Sequence, residues 1–258
     1  MRVATWNVNG LRARFEFLSH WLRERSPDVV GLQELKLTDE QFPHEEFAKL
    51  GYHAQVHGQK AWNGVAVLTR GPADVLQRGL PGREEFGARL ITVRIADLVF
   101  TTVYCPNGKD LDHEDYRRKL TWFDALAAHV KVHQDPEGLG ILCGDFNICP
   151  SALDSCHGET AGHRIFHTEE ERTRFRSVLD AGFVDVYRDR FPDSGEYSWW
   201  DYRGGAFHKG RGLRIDFLLA TRAALARATS VEIDREYRKK KDGLTASDHA
   251  PVWIDIAP

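Results

Sequence analysis

The sequence lacks the features that mark several large protein classes. Its 258 residues include only four cysteines, Cys105, Cys143, Cys149 and Cys156. None of them forms a CxxC pair, so neither a disulfide framework nor a zinc site is expected, and the thiols are read as reduced and without a shared role. Apolar runs are short. None approaches the roughly 18 residues that a membrane-spanning helix needs, and the opening MRVATWNVNG has no long apolar core of the kind found in signal peptides. A cytoplasmic protein with no membrane partner is the expectation. Low-complexity blocks, Pro/Gly/Ser-rich linkers and internal repeats are also missing, which leaves no place to cut the chain and predicts a single domain over 1–258. There is no excess of basic charge either: 35 Lys and Arg stand against 38 Asp and Glu, a formal net charge of −3. That excludes a generally basic, histone-like DNA binder but not local basic patches.

What is present is an ordinary globular composition, with 42% hydrophobic and 28% charged residues. Short β-branched or apolar runs recur at Val3–Trp6, Val29–Leu32, Val65–Leu68, Leu90–Ile95, Val99–Tyr104, Ile141–Cys143, Leu213–Leu219, Val231–Ile233 and Pro251–Ile256. Helical patterns cover roughly Arg14–Arg25, Asp39–Leu50, Asp112–His133 and Thr168–Asp180. The last of these opens with a capping-box pattern, Thr168 followed by Glu171. Strands and helices do not alternate one for one, which weighs against a parallel α/β barrel or a doubly wound sheet. An α/β protein with two packed sheets flanked by helices, a four-layer sandwich, accounts better for the element count.

Polar residues gather just after several of these runs, where a rigid scaffold commonly presents functional groups. In WNVNG, Asn7 and Asn9 stand two apart; their amides can support a hard cation or donate to phosphate, and Asn-Gly is equally a turn signal. Glu34 follows the apolar run VVGL, where a carboxylate can bind Mg²⁺, although most glutamates are simply solvated. In LCGDFNICP, Asp145 and Asn147 emerge from an apolar strand. A carboxylate beside an amide suits orienting a water and stabilising phosphate charge, while an Asx turn is the structural alternative. Asp216 lies inside RGLRIDFLL and needs a partner if buried, either a structural cation such as Arg214 or a histidine that it orients. Asp248-His249 precedes the closing strand, offering a metal-facing carboxylate and a group that titrates near neutrality. The other 11 histidines, His163, His167 and His208 among them, are read as surface or packing residues.

Taken in order, WNVNGLRAR, LQELK, VYCPNG, GDFNICP, GLRIDFLL and SDHAPV resemble the exonuclease III family of abasic-site endonucleases, within the endonuclease/exonuclease/phosphatase superfamily. The resemblance runs from about Val3 to Ile254 and extends to NGVAV and YSWWDYRGG. It implies a DNase I-like four-layer sandwich with two mixed sheets. It also implies a divalent-metal site at Asn7, Glu34 and Asp248, holding Mg²⁺ with Mn²⁺ as a substitute, and Asn9 close by. Asn9 stands where some relatives carry aspartate. By the same resemblance, Asp145 activates the water, Asn147 and Tyr104 contact the phosphate, and Asp216 with His249 forms an Asp–His pair. Trp199, Leu213 and Ile215 are candidates to line an apolar pocket for a flipped-out, baseless sugar. The segment Ala152–Thr168 departs from the family pattern, and Cys156, His157 and His167 within it can alter access.

The implied activity is Mg²⁺-dependent hydrolysis of DNA on the 5′ side of abasic sites, removal of 3′ nucleotides and 3′ blocking groups, or both. The expected partner of this monomeric enzyme is duplex DNA with abasic sites or damaged or recessed 3′ ends. Two basic stretches can contact its phosphates: residues 203–214, which start with Arg203, and REYRKKK, with Arg235, Arg238, Lys239, Lys240 and Lys241. A solvated basic loop is the alternative for the second, and core packing for any one of Trp199, Trp200, Tyr202 and Phe207. Two rivals are a catalytically dead nucleic-acid-binding relative, like the catabolite repression control proteins, and a phosphatase acting on phosphoinositides or other small phosphates. The first loses site residues that this chain keeps, and YSWWDYRGG and RGLRIDFLL disfavour the second.

Overall fold

A computed structural model describes residues 1–258. Twelve strands form: β1 (Arg2–Asn7), β2 (Val29–Gln33), β3 (His53–His57), β4 (Val65–Thr69), β5 (Asp74–Arg78), β6 (Leu90–Ile95), β7 (Leu98–Tyr104), β8 (Leu139–Asp145), β9 (Phe183–Asp185), β10 (Asp216–Thr221), β11 (Ala228–Ile233) and β12 (Val252–Ile256). Six helices accompany them: α1 (Leu11–Arg25), α2 (His44–Lys49), α3 (Glu114–His133), α4 (Glu169–Leu179), α5 (Val186–Arg190) and α6 (Arg222–Arg227). The strands make two six-stranded sheets, ordered β11-β12-β1-β2-β4-β3 and β5-β6-β7-β8-β10-β9. Both are mixed, with one parallel pair at the centre of each, β1 with β2 and β7 with β8.

Burial explains the layering. β2, β4 and β10 are buried along their whole length, the pattern of strands covered on both faces. Val3, Val29, Val65 and Val67 from the first sheet meet Ile91, Val93, Phe100, Ile141 and Leu218 from the second in the central core. The opposite face of the first sheet, through Ala4, Trp6, Val30 and Leu32, packs on Phe17, Leu18, Trp21 and Leu22 of α1. The opposite face of the second, through Leu90, Val103, Leu142 and Leu219, packs on Trp122, Phe123 and Leu126 of α3 and Phe175 and Val178 of α4. The result is the four-layer α/β sandwich of the DNase I-like fold.

All nine apolar runs become strands, with one shift: the run from Leu213 enters β10 only at Asp216. Leu213 itself lies in irregular backbone that bridges Ser155 and Trp199. β3, β5 and β9 escape sequence reading because HAQVH and DVLQR are edge strands rich in polar residues and FVD is three residues long. The pattern over Asp39–Leu50 is not one helix. Pro43 splits it into a 3₁₀ turn at Asp39–Gln41 and α2, because proline forces Phe42 into extended backbone (ψ 133°) and cannot itself donate a helical hydrogen bond. α5 and α6, of five and six residues, are too short to show a period. The capping box forms as expected: the Glu171 amide donates to Thr168 Oγ1 at 3.2 Å, and the Glu171 carboxylate accepts from the Thr168 amide at 3.1 Å.

Two glycines position the site. A Cβ on Gly31 would lie 2.6 Å from Thr102 Oγ1, so the sheets approach closely there only because β2 carries glycine. Gly144 has φ +141°, and a Cβ would fall 1.9 Å from the Val103 carbonyl oxygen, so no other residue fits before Asp145. β8 can then run tight against β7 and set Asp145 opposite Tyr104 on one side and Asp216 on the other.

Candidate active site

The parallel pairs end at the same edge of the sandwich, and the candidate residues collect there. Asn7 closes β1, Glu34 follows β2, Tyr104 closes β7 and Asp145 closes β8. The antiparallel strands begin at this edge, so Asp216 opens β10, and Asp248 and His249 stand just before β12. Four non-glycine residues here adopt left-handed backbone: Asn9 (φ 47°), Glu34 (φ 55°), Lys36 (φ 57°) and Asn147 (φ 49°). Such conformations are costly for most side chains and concentrate at functional sites, where they aim groups that regular strands cannot.

Asn7 Nδ2 donates to Glu34 Oε1 at 3.0 Å and to Asp145 Oδ2 at 2.9 Å, tying the two sheets together through their acids. The Asn147 amide N–H donates to Asp145 Oδ1 at 2.9 Å, and its side-chain Nδ2 donates to the Cys105 carbonyl at 3.0 Å. His249 Nδ1 lies 2.9 Å from Asp216 Oδ2, and its Nε2 is 3.9 Å from Asp145 Oδ2. Ser198 Oγ donates to Asp216 Oδ2 at 2.6 Å. Asp216 therefore takes the histidine as its partner. Arg214, the other candidate, is occupied elsewhere, 2.7 Å from both Asp154 and Asp185.

Asp248 sits to one side of this group. Its Oδ1 accepts from Asn9 Nδ2 at 2.9 Å and its Oδ2 from Trp199 Nε1 at 3.0 Å. Lys36 Nζ then links Asn9 Oδ1 (2.7 Å) to Glu34 Oε2 (3.0 Å). Asn7 and Glu34 thus meet directly, whereas Asp248 is joined to them through Asn9 and Lys36. Glu34, Asp145 and His249 also place ligand atoms within 4.8 Å of one another. The oxygen donors gathered here, the carboxylates of Glu34 and Asp248 and the Asn7 amide among them, suit a hard divalent cation better than a thiophilic one.

Electrostatics separate the roles of these groups. Burial opposes the charge on Glu34, but the Asn7 hydrogen bond and the charges of Lys36 and His249 outweigh it and hold its carboxyl below the ordinary value. Asp145 is pushed up to about 7 by burial, against the pull of His249 and with added repulsion from Asp216 and Glu34. His249 moves to about 10: burial resists its charge, but Asp216, Asp145 and Asp248 surround it with acids. The Tyr104 phenol rises well above its ordinary value through burial and the neighbouring acids Glu34 and Asp145, so it stays a proton donor.

Trp199 faces a small apolar cluster of Cys149, Leu213 and Ile215, closed by Phe166. Trp200 points the other way, fully buried in the central core, as core packing requires. Arg203 is 90% exposed and pairs with Asp201 at 2.6 Å. The REYRKKK segment divides: Arg238 is buried and donates to the Asp248 and Trp200 carbonyls at 3.1 Å, while Lys239 and Lys240 face solvent. Sequence reasoning missed Lys36, Ser198 and Ser247, whose hydroxyl accepts from the His249 amide at 3.2 Å and donates to the Asn7 carbonyl at 2.7 Å. A lysine two residues after Glu34 and serines beside Trp199 and Asp248 were the available signals.

Buried carboxylates suited to a cation and a water, facing imidazole, amide and phenol donors across an edge of a four-layer sandwich, make an arrangement suited to phosphoester hydrolysis. The chain belongs to the endonuclease/exonuclease/phosphatase family, whose model matches residues 4–249. It is 34% identical to exodeoxyribonuclease III of Haemophilus influenzae over 99% of this chain and 100% of that one. Among solved structures, an AP endonuclease from Archaeoglobus fulgidus superposes with a TM-score of 0.95 at 32% identity, covering 99% of both chains. A 3′ phosphatase from Neisseria bound to product DNA hairpin gives a TM-score of 0.95 at 36% identity, covering 100% of this chain and 99% of that one.

Proposed function

We propose that this chain is a DNA-repair phosphodiesterase of the exodeoxyribonuclease III type, acting as a single-domain monomer. Its reactions are incision on the 5′ side of abasic sites and removal of 3′ nucleotides or 3′ blocking groups from duplex DNA. The observation that carries this reading is the buried Asp216–His249–Asp145 line, with the His249 ring 2.9 Å from one acid and 3.9 Å from the other. Asn7 and Glu34 lie beside it.

Asp145 is the base. A carboxyl pushed up to about 7 can take the proton of an attacking water near neutral pH. His249, at about 10, stays an imidazolium and serves as a phosphate-binding cation rather than a base. Asp216 fixes the orientation of the His249 ring and stabilises its charge. The Tyr104 hydroxyl adds a donor where negative charge accumulates on the phosphate, and Asn147 Nδ2, one N–H of which holds the Cys105 carbonyl, offers its other N–H. Glu34, Asp248 and the Asn7 amide oxygen would hold Mg²⁺, or Mn²⁺ in its place, with Asn9 supporting Asp248. When bound, the ion supplies a Lewis acid for a phosphate or leaving-group oxygen.

Trp199, Leu213 and Ile215 are proposed to receive a baseless sugar, whose extrusion breaks no base pair. Arg203, Lys239 and Lys240 contact flanking phosphates. Duplexes carrying an internal abasic analogue, a 3′-phosphate or an undamaged recessed 3′ end, each incubated with Mg²⁺ and with EDTA, test the reading. Cleavage of at least one in Mg²⁺ alone is expected. Failure on all three, or cleavage that EDTA does not stop, overturns it.

A further inference from the structure

Behind the candidate site lies a charged pair that none of the roles above uses. Lys119 of α3 and Glu171 of α4 are ion-paired with both side chains 0% exposed. Removing two charges from water is expensive, and an apolar pair of similar size is often as stable, so such a pair needs a reason. The three N–H directions of Lys119 are all occupied. One meets Glu171, one donates to the Asn147 carbonyl at 2.6 Å, and one faces the Phe166 ring, whose centroid is 4.6 Å away. Glu171 is equally saturated, accepting also from the amides of Phe166 and Thr168 at 3.1 Å and from Thr168 Oγ1 at 2.9 Å.

We propose that Lys119 and Glu171 are a positioning pair that captures the Asn147 carbonyl and thereby fixes the Asn147 amide against Asp145. The proposal rests on the reading of Asp145 and Asn147 given above. Asn147 sits at φ 49°, and its carbonyl belongs to the peptide that its ψ angle orients. Holding that oxygen on a buried ammonium locks the left-handed turn, and with it the Asn147 N–H on Asp145 Oδ1 (2.9 Å) and Nδ2 on the Cys105 carbonyl (3.0 Å). A neutral apolar pair would fill the same space without that lock.

The PNG loop adds a second connection. Gly108 has φ +90° and a Cβ there would come 3.1 Å from Lys119 Cδ, so the loop lies directly on the lysine stem, with Asn107 Nδ2 reaching Asn147 Oδ1 at 3.5 Å. α4, the Phe166 turn and the loop at Gly108 therefore all bear on the Lys119 side chain, whose ammonium holds the Asn147 carbonyl. Glu171 serves the capping box and the lock with the same carboxylate.

The test uses Lys119→Met/Glu171→Gln, which removes both charges, keeps the capping-box acceptor and leaves no ammonium for Asn147. Its melting temperature is expected within about 5 °C of wild type. On a 3′-phosphate or abasic duplex, kcat falls about tenfold or more with KM within about threefold. Hydrogen exchange over residues 145–149 of the metal-free protein speeds up. Lys119→Arg, which keeps charge and donors, is measured alongside in case the double variant does not fold. Across the variants that fold, kcat falls in step with faster exchange at Asn147. A folded double variant with unchanged exchange at Asn147, or any variant with fast exchange and wild-type kcat, overturns the proposal. If wild type cleaves no DNA, the functional reading fails while the exchange data still decide the lock.

Discussion

The centre and the rim of the candidate site are built by opposite means. Asp145, Asn147, Asp216 and His249 are buried, stand at or beside strand ends, and each makes at least one hydrogen bond to another polar group of the centre. Arg203, Lys239 and Lys240 lie on loops and are exposed, and Arg203 and Lys239 pair only with near neighbours, Asp201 and Glu236. A buried network is costly to assemble and needs no reorganisation during reaction, whereas exposed cations act through long-range attraction that salt screens. Breaking the first should therefore show in kcat, and thinning the second in KM and salt dependence. The net charge of −3 averages the two. It hides an acidic centre inside a rim with basic patches.

The comparison can be broken most forcefully at Asp145. Asp145→Asn removes the base and is expected to lower kcat about ten-thousandfold. Asp216→Asn leaves the ring in place but loses the acid that orients it and stabilises its charge, so steady-state kinetics should show a fall of about a thousandfold. A change outside the centre should spare chemistry and strike the fold. Asp154 is held below the ordinary carboxylate range: burial opposes its charge, but Arg214, Ser151 and Arg188 outweigh it. A carboxyl depressed by folding stabilises the protein above its unfolded value of about 4 and loses that contribution as pH falls through the folded value. Asp154→Asn should cost about 3 kcal/mol at pH 7 by denaturant titration, and the gap to wild type should close below about pH 4. The smallest effect belongs to the rim. Lys239→Ala with Lys240→Ala should raise KM by about threefold to tenfold, leave kcat unchanged and flatten the salt dependence of binding by about one unit of slope per lost phosphate contact.

The centre was legible because its chemistry sits at the ends of apolar runs. Taken singly, a glutamate after VVGL or an aspartate after LCG also has a structural reading, a solvated side chain or an Asx turn; the order of all the segments together, and the family they resemble, make the centre legible. Element numbers point to two packed sheets, and the family resemblance supplies the four layers. What escaped was whatever depends on contacts distant in sequence. Nothing local marks Lys119 as buried, since its helix carries lysine and arginine on exposed faces too; only α4, 52 residues on, completes the pair. Arg214 and Asp216, two apart in one run, find entirely different partners because Arg214 still lies in the irregular backbone before β10, which opens only at Asp216. Edge strands such as β3 were missed for a related reason: their pairing with β4 supplies the stability that their own residues do not announce.

One experiment compares centre and rim most directly: single-turnover cleavage and equilibrium binding measured on the same duplex for wild type and Asp145→Asn. The expected result is a rate lowered by at least about a thousandfold with Kd within about threefold, because chemistry and capture reside in different parts of the surface. An Asp145→Asn protein that cleaves at near wild-type rate, or that loses rate only in proportion to lost binding, would contradict the account.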